Sequence, residues 1–194
     1  GRDVYQLSTS PPMVLGRLEF TPFGHFDAYK EADIKRHASP KIAVAVAGAW
    51  LKGAANDKGV LGKPPEDGGT TDHVMMTADV HAKWRGWSLA VEGHKRSSTR
   101  HPGTVAPAVA GRSGWGAFGT LGWLLPMQSD VEIALRMGAI FADKNSSLSD
   151  VRETTAGVSW YLSGHANKLQ ADVSRLTVGS STEMRVRLQF QASM

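Results

Sequence analysis

Cysteine is absent from the 194 residues, so the chain carries no disulfide framework and no thiolate metal site. Long hydrophobic runs are missing as well. The longest near-apolar stretch, IAVAVAGAWL at residues 42–51, has half of the roughly 20 apolar residues that a membrane helix needs, which excludes a helical membrane protein. No long basic run occurs either. The net charge is +4 and the pI about 9.5, but the cations are spread along the chain. That speaks against a nucleic-acid-binding arm and leaves an acidic membrane surface or anionic solutes as partners. The opening GRDVYQLSTSPP lacks the apolar segment of a signal peptide, so a signal is expected to have been removed or the chain to begin inside a longer protein. Helix-favouring runs of Ala, Leu, Glu and Lys are scarce, and glycine is abundant at 21 residues. A chain of this length usually makes one domain with a respectable core.

What is present is alternation. From Met184, every second residue to the end is apolar (Met184, Val186, Leu188, Phe190, Ala192, Met194), with Arg185, Arg187, Gln189, Gln191 and Ser193 between. Successive side chains of a strand point to opposite sides, so this is a strand with two different faces. Similar segments recur at residues 13–23, 41–51, 72–84, 87–96, 114–126, 130–141, 153–164 and 167–176. They predict nine strands, most about 10 residues long, the length a tilted strand needs to cross a bilayer.

The connections alternate too. Counting back from the C-terminus, tight links (SGHA, MQS, RG) alternate with long ones (DKNSSLSDVR, residues 97–113, residues 53–71), and the short SSTE is the main departure. Short turns at one end and long loops at the other describe an up-and-down outer-membrane barrel. The stretch AKWRGWSL fixes a register. With Arg85-Gly86 as a two-residue turn, Trp84 faces Trp87, Ala82 faces Leu89 and Val80 faces Val91 on the apolar side. Lys83 then faces Ser88, and Asp79 faces Glu92, on the polar side. Trp84, Trp87, Trp123 and Trp160 fall beside tight turns, where an aromatic girdle meets the membrane interface. The apolar face is therefore expected to meet lipid and the polar face a wet lumen.

GRLEFTPFG at 16–24, the GW…WLLP strand at 114–126, VEIALRMG at 131–138 and ETTAGVSWYLSGHANKLQADVSRL at 153–176 resemble the C-terminal half of the phosphate-selective porin family, the O and P type. The closing RVRLQFQASM is similar to that family's last strand. The resemblance implies a 16-stranded outer-membrane barrel of a Gram-negative bacterium, a homotrimer passing small anions such as phosphate. Two departures accompany it: Met194 stands where the family ends on phenylalanine, and the family's N-terminal half, with much of the pore constriction, has no counterpart here.

The chemical motifs read as pore lining. GWGAFG at 114–119 matches a dinucleotide fingerprint in letters, but a strand runs through it and no helix follows. His73 and His81, eight residues apart on one strand face, stand roughly 26 Å from each other and cannot share a metal ion. His94 falls near Thr77 as another lumen residue. Asp79 and Glu92 face each other as an acid–base pair could, yet within a mixed-charge wall. No nucleophile–base arrangement appears, so no enzyme, cofactor or metal is expected. The expected pore-lining residues are Arg17, Lys83, Arg85, Arg96, Arg136, Lys168, Arg185 and Arg187 with Asp79 and Glu92 among the acids. Excess cations in a lumen would favour anions unless they pair across strands.

The expectation is thus an all-β, antiparallel transmembrane β-barrel. Residues 1–12 read as the remnant of an external loop, and 13–194 as one domain of about nine strands belonging to a larger, 16-stranded barrel. Lipid, small anions and sister barrels are its partners. The alternative is a closed barrel of eight to ten strands, with RDVYQLS as a further strand and a structural or adhesive role through its external loops.

Overall fold

The computed structural model describes residues 11–26, 29–56, 58–105, 110–128 and 130–192. The strands are β1 (Met13–Phe20), β2 (Lys41–Ala54), β3 (Thr70–Trp84), β4 (Trp87–His101), β5 (Gly114–Leu124), β6 (Asp130–Ala142), β7 (Val151–Ser163), β8 (Asn167–Val178) and β9 (Ser181–Ala192). They make one antiparallel nine-stranded sheet in sequence order, and no helix occurs among the described residues. β1 and β9 are its two edges and are not paired with each other. Most of the expected external loop (residues 1–10) and the whole of the candidate strand RDVYQLS lie outside the described residues.

The hairpin registers follow from the turns. Arg85 and Gly86 take positive φ (49° and 86°), the backbone of a two-residue hairpin whose twist matches its strands. Trp84 then pairs with Trp87, Val80 with Val91 and Asp79 with Glu92, as the alternation requires. The β8–β9 link is equally tight, with Gly179 at φ 57°. Loops between β2 and β3, β4 and β5, and β6 and β7 are long and share one end of the sheet. The β3–β4, β5–β6 and β7–β8 turns share the other.

The two faces differ. On one, Val46, Trp50, Met76, Leu121, Leu135 and Val186 are exposed, and comparable apolar side chains continue across every strand. The other face carries the charged and hydroxyl side chains. There, small residues of β2 (Ala43 and Ala45) are buried, as are Asp79, Lys83, Glu132 and Lys168. Part of their cover is the β1–β2 connection (described at 21–26 and 29–40), which meets Lys83 and Lys168. It lies at the tight-turn end but is long and folds across the polar face, with Phe26, Ala32 and Asp33 almost completely buried. The regular loop alternation gave no sign of it.

Candidate functional site

The polar face is built by side chains that reach over small residues to a strand two places away. Arg17 of β1 pairs in register with Ala47 of β2, and Asp79 of β3 pairs with Ala45. Alanine methyls leave the space above β2 open, and the Arg17 guanidinium crosses it to grip both Asp79 oxygens at 2.5 and 2.9 Å. Such fork-on-fork pairing is the strong, directional form of the ion pair. β5 is crossed in the same way. Glu132 of β6 reaches over Gly122 to accept from Ser88 of β4 at 3.0 Å, while Tyr161 of β7 donates to its other oxygen at 2.9 Å. A Cβ on Gly122 would stand 2.1 Å from Glu132 Oε1.

The 21–40 segment acts as a strap over the tight-turn end. Its backbone carbonyls and carboxylates meet donors from β3, the β3–β4 turn and β8, and its own Arg36 donates to the end of β5. Lys83 Nζ donates to the carbonyls of Ala32 (2.8 Å) and Lys30. Asp33 accepts from Gly86 N at 2.9 Å in the β3–β4 turn and holds His37 through both N (3.1 Å) and Nδ1 (2.5 Å). Arg36, at φ 46°, donates to the carbonyls of Leu124 (3.0 Å) and Leu125 (2.5 Å) at the end of β5. Lys168 of β8 pairs with Glu31. Between these polar clamps Ala32 packs on Leu124 and Tyr161, and Phe26 and Tyr29 meet edge to face at 4.8 Å, with His81 against Tyr29 at 5.2 Å. Burial, with the Glu19 carboxylate accepting from its hydroxyl, pushes the Tyr29 phenol up to about 12. In the β7–β8 turn, burial, with the cationic Lys83 and Lys30 nearby, holds His165 below the ordinary imidazole value.

Most of the charges read from the sequence are thereby spoken for. Arg17 belongs to Asp79, Lys83 to the strap carbonyls, Lys168 to Glu31, Arg185 to Glu183, and Arg187 to Asp172 at 3.0 Å. Asp79 and Glu92 sit opposite each other, but each has its own partner, the Arg17 guanidinium for Asp79 and the His94 ring (3.1 Å) for Glu92. Arg96 bonds His73 Nδ1 at 3.2 Å and Ser98 at 3.3 Å. His73 and His81 thus serve different neighbours. Arg85 stands apart from this set: its guanidinium lies 5.0 Å from the Trp84 ring centroid at the turn, beside the apolar face. Arg136 is different again. It lies 4.1 Å over the Phe118 ring and has no carboxylate partner among the described residues.

Sequence reasoning passed over Phe118, Ile140 and Val151, three apolar residues at polar-face positions of β5, β6 and β7. The signal was available as a break of parity within otherwise alternating strands. A second aromatic level was also legible. Trp87 and Trp123 stack at 5.4 Å near the tight turns, and Trp115 and Phe141 stack at 4.4 Å near the long loops. No family model, curated protein or solved structure matches this chain.

Proposed function

We propose that the nine strands form part of the wall of a water-filled outer-membrane channel that passes small solutes by passive diffusion, with a mild preference for anions. The observation that carries this reading is the uncovered apolar face, bordered by stacked aromatics at both ends and backed by a charged face. On β3 the band runs from Val74 to Trp84. Ten steps of about 3.4 Å, tilted by about 45°, project to roughly 24 Å, the height of the apolar belt of an outer-membrane barrel. A face of that kind in water would be a severe liability, whereas in lipid it is required.

The edges of β1 and β9 support the idea of further strands. In lipid, each unsatisfied backbone group costs several kcal/mol, so a stable barrel closes its edges. The likeness to phosphate-selective porins suggests sixteen strands and a trimer. The strap narrows the tight-turn mouth, where its carbonyls hold the Lys83 ammonium and Glu31 pairs with Lys168. Any anion preference then falls chiefly to the long-loop half, on Arg136 and Arg96.

Single-channel recording with the full-length protein tests this. Stepwise conductance and a reversal potential on the anion side are expected in a potassium chloride gradient. The Arg136→Gln variant should lose part of that preference, most clearly at low salt, where screening is weak. A protein that inserts into bilayers without conducting rules the channel out.

A further inference from the structure

The polar face changes character near the long loops. β5 places Phe118 there, β6 Ile140 and β7 Val151, and Leu148 of the β6–β7 loop lines the same space. Glycines at polar-face positions in the same neighbourhood send no side chain into the space. Gly138 pairs directly with Phe118, and Gly116 with Ile140. The result is a cavity of about 360 Å³, within the range that holds small organic ligands. Arg136 lies over the Phe118 ring at 4.1 Å, Arg96 and His94 stand on the cavity's β4 side, and Glu153 lines it from β7.

We propose that this cavity is a binding subsite for small monocarboxylates with an aromatic or branched apolar body. The inference rests on the channel reading in taking this face as the water-filled side, and it names a solute class for it. The chemistry favours an amphipathic anion over an inorganic one. An inorganic oxyanion would use Arg136 and leave Phe118, Ile140, Val151 and Leu148 wet. A ring carboxylate answers both halves of the site: its two oxygens match the guanidinium fork, and its ring covers the apolar wall. Arg136 is available for this because it has no carboxylate partner among the described residues and lies against a π-face, which orients the guanidinium without neutralising it. The Glu153 carboxylate, held by Thr155 Oγ1 at 2.9 Å, sets a limit on the ligand by repelling a second negative charge.

The probe is benzoate, with acetate, phosphate and phthalate as comparisons. Saturation-transfer NMR and titration on the full-length protein in detergent read binding without requiring conduction. Benzoate should bind about tenfold more tightly than acetate, phosphate or phthalate. Phe118→Ala and Arg136→Gln should each cost a similar factor, while Phe118→Leu and Arg136→Lys retain part of the affinity and control for folding. Absence of benzoate binding, or equal binding by wild type, Phe118→Ala and Arg136→Gln, overturns the subsite. Chloride conductance of the same preparation in planar bilayers reads the channel separately. Conductance without benzoate binding removes the subsite alone. Binding without conductance supports the subsite and removes the channel reading alone.

Discussion

Gly122 and Gly93 are both strand glycines, yet substitution should affect them in opposite directions. Nothing lies within 4 Å of a Cβ built on Gly93. Alanine there reduces the freedom of the unfolded chain, so Gly93→Ala should be neutral or stabilise by up to about 1 kcal/mol. At Gly122 a Cβ meets Glu132 Oε1 at 2.1 Å and Ser88 Oγ at 2.5 Å. Gly122→Ala should break the Ser88–Glu132 bond and leave half of a buried carboxylate unsatisfied, at a cost of about 1–3 kcal/mol. Urea unfolding from vesicles compares the two, and equal effects would contradict the crossing of β5. His165 supplies a pH dependence at the same scale. Its neighbours are the Tyr161 ring at 5.3 Å, Lys83, Lys30, Lys168 and Glu31. Above the ordinary imidazole value of about 6.5 the ring is neutral in both folded and unfolded chains and contributes no pH dependence. As pH falls from there through the lowered folded value, the unfolded chain takes up a proton that the folded one resists, so stability declines. The midpoint of thermal unfolding should drop between pH 7 and pH 5, and His165→Gln should flatten part of that slope.

At the scale of elements, hairpins and strap differ in how they are held. A hairpin is a local object: its turn, pairing partners and two faces lie within a few residues of one another. The AKWRGWSL register could therefore be read from the chain and recurs in the sheet. The strap has no periodicity, and its partners are remote, from Lys83 to Ala32 across 51 positions to Lys168 and Glu31 across 137. Several acceptors are backbone carbonyls, which leave no trace in side-chain composition. The same limit applies to the charges. Parity alone put Arg17, Arg187 and Arg136 on one face, but only geometry separates the first two, each paired with an aspartate, from the third, which lies over Phe118. Because Lys83 clamps two strap carbonyls and is itself buried, Lys83→Met should release the strap at about 1–3 kcal/mol. Trypsin then has access to Lys30, Lys35 and Arg36, and cleavage within 21–40 should accelerate while the strands stay protected. If cleavage keeps the wild-type rate, Lys83 does not hold the strap.

For the whole molecule, the decisive matter is which face meets which solvent. A soluble sheet would cover its apolar side and wet its polar side, and a barrel wall does the reverse. Here the polar side carries the buried groups (Asp79, Glu132 and Lys168), while Leu135 at 46% exposure and its apolar neighbours stay bare. Arginine substitution separates the alternatives because its cost depends on depth in lipid. Leu135 pairs with Leu121 and Ala156 in the middle of the apolar band. Leu135→Arg and Val80→Arg should cost about 2–4 kcal/mol in vesicle folding and impair insertion, as expected near a bilayer midplane. Ala134 is its neighbour along the strand but points to the other side, pairing with Gly122 and Gly157, and is half-exposed there. Ala134→Arg, and likewise Thr77→Arg beside His94, should cost far less, since a guanidinium there remains hydrated. Adjacent positions on one strand differing in this way cannot be explained by strand propensity or position in the sheet, only by facing lipid or water. Equal penalties at 134 and 135 would mean that both faces meet the same solvent, and the membrane reading would fall with them.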